Sequence, residues 1–397
     1  MGDKQRFERE KQVKIGRIHG DVEVRDCDFI VPLKGSEIVV DGVLFIRGRP
    51  PIIEGSLKCE HLDIECRDDV ELRGNLTVEA SVKVSRGRLR IEGSAKARRF
   101  SISSALEVGK DLHCTTVSCG GALRVGGDVK TETLSVGGAA RINGKIEVED
   151  LSAGGAATVS HGIAGRVNVG GAFKATGAME IGDLDVGGAA VVGAGSKVLD
   201  IDVGGSFKCS GDLVFEELDV GGSAKIDGDA SGKDVDIGGV LKVSGSLTLT
   251  EDLDVGGVAV VGKDLYVSGE IEVGGKLEAG GRIEGTRISV GGGVRATYIR
   301  AEEFRIGRRG EVRGFVEATD IIVSEKVRGE SFYGERIRVE EGARVRNLYG
   351  HDIYLERDVT VEGELLYTGR LETERDVDLR TEPQKVGKLP SPGKVSK

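Results

Sequence analysis

The sequence lacks most of the bulky residues that fill the core of an ordinary globular domain. Its 397 residues include no Trp, 2 Met and 6 Pro, and aromatic residues make up 4% of the chain, whereas Gly occurs 63 times. Large rings normally supply much of the buried area in wide cores. The composition therefore predicts a narrow core of aliphatic side chains, rather than the two or three globular domains that the length alone would suggest.

Long apolar runs and a net positive charge are also absent. No run is long enough for a transmembrane helix, and the N-terminal residues 1–12 are charged throughout, unlike a signal peptide. The formal net charge of −10 disfavours nucleic acid as a partner, because such a partner would need a concentrated basic surface. We therefore expect a cytoplasmic protein that binds no nucleic acid.

The sequence contains no pattern typical of catalysis or of a metal or cofactor site. The five histidines are scattered, and no P-loop or dinucleotide-binding glycine motif lies between a strand and a helix. The cysteines form no CxxC pair and their spacing fits no zinc site, so we expect reduced packing or surface residues. They are Cys27, Cys59, Cys66, Cys114, Cys119 and Cys209. The sequence predicts no enzyme activity, no cofactor, no metal and no small-molecule substrate.

A pair of glycines preceded by a small or apolar residue recurs through the middle of the chain. The pairs begin at Gly120, Gly137, Gly154, Gly170, Gly187, Gly204, Gly221, Gly238, Gly256, Gly274 and Gly291. Their spacing of 16 to 18 residues is shorter than a helical-hairpin repeat or a propeller blade and suits one coil of a β-helix. Apolar residues continue this period on both sides, at Val40, Ile64, Val84, Ile102, Ile306, Val323, Val339 and Leu355.

Within one repeat the apolar residues form pairs two positions apart, and successive pairs are displaced by six positions. A clear example contains Val235, Ile237, Leu241, Val243, Leu247, Leu249, Leu253 and Val255. Residues two apart on a strand face the same side. Each pair therefore predicts the inward face of a short strand, and three such strands close a triangular coil. We expect glycines at the corners because glycine accepts positive φ.

The predicted fold is all-β: a single-stranded parallel β-helix, or β-solenoid, with about 17 residues per triangular coil and about twenty coils. It spans residues 13–378, between a charged N-terminal tail (1–12) and a disordered, basic, proline-containing tail (379–397). We favour a right-handed coil, because repeats of 16 and 17 residues break the strict six-residue count of left-handed β-helices such as the hexapeptide acyltransferases.

Stacked coils place residues at equivalent positions in ladders along the solenoid. One predicted ladder is acidic and consists of Asp185, Asp202, Asp219, Asp236, Asp254 and Glu272. A second is basic and consists of Arg124, Arg141, Lys174, Lys208, Lys225 and Lys242. Three interpretations are open: a solvated and screened face, lateral association of copies through opposite charges, and cation binding along the acidic ladder.

A β-solenoid ends in two open faces with unpaired backbone groups, which proteins either cap or use. The sequence shows no obvious amphipathic capping helix at either end. We therefore predict that copies assemble end to end through terminal apolar residues. The candidates are Ile18, Val22 and Val24 at one end and Leu365, Leu366, Tyr367 and Leu371 at the other.

The glycine-punctuated repeats, such as SVGGAARINGKIEVEDL and LDVGGSAKIDGDASG, resemble those of the bactofilins, the polymer-forming cytoskeletal proteins. The resemblance covers most of residues 13–378. It implies a right-handed triangular β-helix that polymerises end to end, without nucleotide, into non-polar filaments, often near a membrane. The chain departs from the usual family member in being much longer.

The expected function is thus that of a non-enzymatic, self-assembling filament or scaffold of the cytoplasm. Its partner would be itself, and the resemblance adds a membrane surface or other scaffolded proteins as further partners. The alternative is a rigid, rod-like binding or spacer module that recognises another macromolecule through its charged ladders.

Overall fold

The structure, a computed structural model, describes residues 4–395 and consists almost entirely of β-strands. Strands account for 66% of the chain and helix for 1%, which confirms the all-β prediction. The strands follow one another around about 22 parallel stacked coils that recur about every 17 residues, so the chain is a β-solenoid. It divides into two compact units, Met1–Val198 and Leu199–Lys397.

In the first unit, each coil contains three strand segments, and some strands continue around a corner into the next segment. The strands of this unit are β1 (Gln5–Glu8), β2 (Gln12–Ile15), β3 (Arg17–Ile18), β4 (Val22–Arg25), β5 (Phe29–Pro32), β6 (Glu37–Gly48), β7 (Ile52–Glu54), β8 (Ser56–Cys66), β9 (Val70–Arg73), β10 (Leu76–Arg86), β11 (Arg88–Ile91), β12 (Ala95–Lys96), β13 (Arg99–Ile102), β14 (Ala105–Val108), β15 (Leu112–His113), β16 (Thr116–Cys119), β17 (Ala122–Val125), β18 (Val129–Val136), β19 (Ala139–Ile142), β20 (Lys145–Ala153), β21 (Ala156–Val159), β22 (His161–Val169), β23 (Ala172–Ala175), β24 (Met179–Val186) and β25 (Ala189–Val192). Strand β26 (Ser196–Val203) includes the boundary between the two units.

The second unit repeats the same plan and ends in a single helical turn. Its elements are β27 (Ser206–Cys209), β28 (Leu213–Val214), β29 (Glu217–Val220), β30 (Ser223–Ile226), β31 (Ala230–Gly232), β32 (Asp234–Ile237), β33 (Val240–Val243), β34 (Leu247–Leu249), β35 (Leu253–Val255), β36 (Val258–Val261), β37 (Leu265–Val267), β38 (Glu270–Val273), β39 (Lys276–Ala279), β40 (Arg282–Glu284), β41 (Arg287–Val290), β42 (Gly293–Ile306), β43 (Glu311–Val323), β44 (Arg328–Val339), β45 (Arg344–Leu355), β46 (Thr360–Val361), β47 (Leu365–Tyr367), β48 (Leu371–Thr373), β49 (Asp378–Leu379), β50 (Gln384–Lys385) and α1 (Pro392–Val395).

The predicted inward residues form the core. In the coil made by β32, β33 and β34 and in β35, the first strand of the next coil, all eight apolar residues of the predicted pairs are buried, with exposed fractions of 0–1%. Each lies in register with an apolar residue of the next coil, as Val235 does with Leu253 and Leu241 with Ala259. Because the side chains alternate between the two faces of each strand, one short strand contributes two residues to the core and one or two to the surface.

The glycine pairs lie at corners as predicted, but for a different physical reason. None of the paired glycines has positive φ. What excludes a side chain is the coil beneath: a Cβ on Gly137 would lie 2.3 Å from the carbonyl oxygen of Gly120, and a Cβ on Gly138 would lie 2.5 Å from that of Gly121. The pair is needed for close approach between stacked backbones.

Beyond Gly291 the same corner has a different construction. Four-residue turns replace the glycine pairs, and one residue of each turn adopts a left-handed conformation. These residues are Arg309, Lys326, Gly342, Asp358 and Asp376, with φ between 58° and 69°. Most of them are not glycine, so each turn holds a conformation that is unfavourable for an L residue. This change of corner explains why the period continues after the glycine pairs end.

The stacked strands extend beyond the predicted bounds of 13–378. Strand β1, within the predicted N-terminal tail, pairs with β4, and β50, within the predicted C-terminal tail, pairs with β47. The predicted landmark Val40 was also wrong, because Ile64 lies in register with Ile46 and Val40 lies opposite Cys59. Strand β6 turns a corner between Val40 and Ile46. The alternation of apolar residues continues through this corner and did not reveal it. Residues 1–3 and 396–397 of the predicted tails lie outside the described residues.

Replacement of Gly137 by Ala should destabilise the first unit, because the new Cβ cannot fit against the Gly120 carbonyl without a shift of the backbone. We expect the free energy of unfolding to fall by about 1–3 kcal/mol, measured by urea denaturation with far-UV circular dichroism. The matched control is Gly393→Ala, whose Cβ meets nothing within 4 Å. Equal losses for the two variants would contradict the close-approach explanation.

Candidate interaction surfaces

The acidic ladder exists in the structure. Within the second unit, Asp202, Asp219, Asp236, Asp254 and Glu272 lie in register on equivalent strands of five successive coils. Asp185 belongs to the first unit, where it lies beside Asn168 and accepts a hydrogen bond from the Asn168 Nδ2 at 3.2 Å. No lysine or arginine of residues 4–395 forms a salt bridge with the five carboxylates of the second unit. The five carboxylates therefore have no ion-pair partner among the described residues.

The stacking changes the acidity of the ladder. Partial burial, together with the neighbouring Asp236 and Asp202, raises the pKa of Asp219. The pKa of Asp234, on the adjacent outward row, is raised by burial and by nearby carboxylates including Asp252. Like charges at coil spacing therefore oppose one another here.

The basic ladder is also in register, but its charges are partly neutralised. Lys208, Lys225 and Lys242 are stacked on β27, β30 and β33, and Arg124 is stacked on Arg141 in the first unit. Lys174, also in the first unit, lies opposite Thr158.

Asp227 compensates part of the basic ladder. Its carboxylate lies 2.7 Å from the Lys225 Nζ and 3.5 Å from the Lys208 Nζ. The hydrogen bond from Lys225 lowers the pKa of Asp227. Asp227 was not among the predicted ladder residues, although its position two residues after Lys225 was a signal.

The predicted end residues do not all lie at an end. Val22 and Val24 are completely buried, and Leu365 is 1% exposed. The reason is that β1 adds a coil before Val22 and Val24, and β50 adds strand pairing after the strand of Leu365.

The remaining predicted end residues are accessible. Ile18, Leu366, Tyr367 and Leu371 are all partly exposed. Ile18 belongs to the first coil and Leu371 to the last, whereas Leu366 and Tyr367 lie one coil inside.

A buried carboxylate holds the first coil to the second. Glu23 is 1% exposed although its side chain leaves the outer face of β4. Four basic side chains surround it: Lys4 at 2.9 Å, Arg6 at 3.1 Å, Arg25 at 3.2 Å and Arg47 at 3.6 Å. The hydrogen bond from Lys4, aided by the other positive charges, outweighs burial and lowers the pKa of Glu23 to about 2. Nothing in the local sequence pattern distinguished Glu23 from a surface glutamate.

The second unit carries two outer surfaces with unusual composition. On one, Arg305, Ile322, Arg338 and Tyr354 lie in register and line a groove of about 730 Å³. Arg338 is paired with Glu356 at 2.6 Å. This row continues the acidic ladder from Glu272 through Ser289.

The other surface is aromatic. Tyr298, Phe315, Tyr333 and Tyr349, here called the aromatic track, form a chain of rings with centroids 5.6, 6.3 and 6.3 Å apart. Phe315 and Tyr349 are 3% and 2% exposed although they occupy outward positions of their strands. This surface was not predicted, although the spacing of the four rings by 16 to 18 residues was a signal.

The cysteines fit their predicted role as packing residues. Cys27, Cys59, Cys66 and Cys119 are buried with free thiols, and Cys114 is half-buried. Burial raises the pKa of Cys59 to about 12 and those of Cys66 and Cys114 to about 11. Such thiols are poor nucleophiles at neutral pH because the thiolate is disfavoured. Cys209 is buried in the second unit.

The comparisons with known proteins give no identification. No protein-family model, no curated protein and no solved structure matches the chain. Within residues 4–395, no three His, Cys, Asp or Glu side chains converge in a way that could hold a metal ion. No helix in the same part of the chain is long and apolar enough to cross a membrane.

Replacement of Glu23 by Gln should destabilise the first unit at neutral pH, because four basic side chains would lose their common partner. We expect a loss of about 2 kcal/mol in the free energy of unfolding at pH 7. Since the folded pKa lies below the ordinary value of 4.5, the stabilisation is complete above about pH 4.5 and is lost as the pH falls towards 2.

The measurement is urea denaturation from pH 7 to pH 2, with Glu8→Gln as the control on the exposed side of β1. The difference between wild type and Glu23→Gln should shrink across this acidic range. A difference that stays constant from pH 7 to pH 2 would show that the ionised carboxylate is not responsible.

Proposed function

We propose that this chain is a non-enzymatic structural protein whose copies join end to end. The observation that supports this is the state of its terminal coils. Within residues 4–395, β1, β2 and β3 pair only with β4, β5 and β6, and β48, β49 and β50 pair only with β45, β46 and β47. The outer edge of each terminal coil therefore presents backbone groups to which another parallel strand could bind.

Partly exposed apolar residues accompany both open edges. Phe7 in β1 is in register with the buried Val24, and Leu379 in β49 is in register with the buried Val361. Both occupy inward positions that lack a further coil to cover them. Leu371 and Ile18 are in the same situation. A junction that buried these side chains would gain about 1.5–3 kcal/mol for each one fully covered.

One pair of opposite charges would face each other at a junction between the two edges. Arg6 and Glu372 each lie between the two inward positions of the first strand segment of their coil. If the last coil of one copy stacked on the first coil of another in the usual register, these opposite charges would meet, and so would the like charges of Glu8 and Glu374. Parallel pairing of the last coil of one copy with the first coil of another would continue the ladder of the coils, which favours head-to-tail order and an open-ended assembly, rather than the non-polar filament implied by the resemblance to bactofilins.

Such assembly needs neither nucleotide nor cofactor, because strand pairing and apolar burial would drive it. A cytoskeletal filament or scaffold in the cytoplasm, with the chain itself as principal partner, is the function we infer. Attachment to a membrane surface or to scaffolded proteins would be a further role of the assembled form.

Replacement of both Leu371 and Leu379 by Lys should abolish end-to-end association, because two charges would have to be buried at the junction. In sedimentation velocity, wild type should form polymers and this variant should sediment as single chains. The control is Glu362→Lys, which changes charge on the outer surface near the same end. A wild type that stays monomeric at high concentration would refute the proposal.

A second candidate function is a rigid binding or spacer module. The uncompensated acidic ladder of the second unit supports it, because stacked carboxylates repel one another until a cationic surface approaches. In that role the cationic surface belongs to another macromolecule. Lateral association is a separate interpretation of the ladders, in which the basic ladder of another copy supplies that surface and joins assembled copies side by side.

Reversal of Lys208, Lys225 and Lys242 to Glu should abolish salt-sensitive bundling and leave single polymers intact, because only lateral contacts would lose their opposite charge. Light scattering against salt concentration, with electron microscopy of the same samples, measures both effects. Asp227→Asn is the control, since it removes the partner of Lys208 and Lys225 but preserves the ladder. Bundles unaffected by the reversal and by salt would assign the ladders to a solvated surface.

A further inference from the structure

Residues 386–395, here called the covering segment, follow the last strand and lie beside two rings of the aromatic track, Tyr333 and Phe315. Leu389 lines a groove of about 840 Å³ together with Tyr333. Val395 lines a second groove, of about 730 Å³, together with Phe315. Both apolar side chains are partly buried. A part of the chain that the sequence predicted to be a disordered tail thus has a defined place on the surface of its own unit.

The sequence of the covering segment explains why it does not form another coil. Pro390 and Pro392 have no N–H group and cannot donate to a strand ladder. Residues 386–391 belong to no strand or helix, and Pro392 begins the single helical turn α1. Proline restricts the backbone before binding, so a segment that contains it loses little conformational entropy when its apolar side chains enter a groove. The aromatic track and the covering segment therefore have matching chemistry.

The covering segment is attached by few polar contacts. One backbone hydrogen bond, from the Val386 N–H to the Tyr367 carbonyl at 2.9 Å, joins it to the solenoid. Within the described chain, no side-chain hydrogen bond or ion pair links residues 387–395 to a strand. Its hold on the track is therefore mainly apolar, in contrast to the continuous backbone ladders of the coils.

We propose that the aromatic track is a binding site for a proline-containing apolar peptide, and that the covering segment of a second copy can occupy it in place of the chain's own. The segment and the track are the same in every copy, so the exchange preserves all contacts. The intramolecular contact is favoured by a high effective concentration, and exchange between copies becomes favourable when copies are concentrated. This inference does not depend on end-to-end assembly.

The test uses the full chain with Leu389→Asp and Val395→Asp, which should release the covering segment. A fluorescent peptide with the wild-type sequence of residues 386–395 is the probe, and binding is measured by anisotropy. We expect the released variant to bind the peptide at least tenfold more tightly than wild type, whose track is occupied. Adding Tyr333→Ala to the released variant should weaken binding at least tenfold. Lys388→Asp, an exposed change in the same segment, is the control and should behave as wild type.

Exchange between copies is tested by mixing two chains, both carrying Leu371→Lys and Leu379→Lys so that end-to-end assembly does not interfere. One is the released variant, with an open track, and the other carries Tyr333→Ala, with an available segment. A one-to-one complex in sedimentation supports the proposal, and absence of the complex overturns it. So does failure of the released variant to bind the peptide while its far-UV circular dichroism matches that of wild type.

Discussion

The backbone ladder between successive coils is the constraint on which the rest of this structure depends. Parallel strands lie about 4.8 Å apart, so every residue has nearly the same neighbours as its equivalent one coil away. A residue type that suits one coil is therefore stacked on itself. The glycine pairs show the strictest form of this rule, because the carbonyl oxygen of one pair lies where the Cβ of the next would be.

The same stacking makes the choice of surface residues more consequential than on a globular protein. A single exposed aspartate is nearly neutral in its effect on stability, but Asp219 has a carboxylate in register on both sides, and partial burial together with these two neighbours raises its pKa. The rows of stacked charged residues differ in how far ion pairs compensate them. Lys208 and Lys225 share Asp227, and Arg336 forms an ion pair with Asp320 of the preceding coil. The acidic ladder alone of these rows has no such partner in the described chain, which is why we treat it as a candidate contact surface.

The sequence could predict the features of the fold that repeat from coil to coil. Inward residues such as Val235 and Leu241, and the register of both ladders, were predictable because the period relates each to many equivalents. Features that occur only once in the chain could not be predicted in this way. The corner within β6 displaced the predicted position of Val40, and β1 lay in a segment whose charged residues suggested a tail. Glu23 could not be identified, because three of its four basic partners, Lys4, Arg6 and Arg47, are distant from it in sequence.

The first and last coils differ in how their exposed inward residues are covered. At the first coil, Val13 and Ile15 are fully buried and a charge cluster around Glu23 fixes β1 in place. At the last coil, Leu371 and Leu379 stay partly exposed, and the prolines that follow prevent further strand pairing. The covering segment lies instead on the side of the unit, over the aromatic track, and leaves the outer edge of β48–β50 without a partner among the described residues. A segment that covered the end would block stacking of another copy.

A segment that covers the side protects aromatic rings and keeps the end available. End-to-end stacking and exchange of the covering segment can therefore operate in the same molecule.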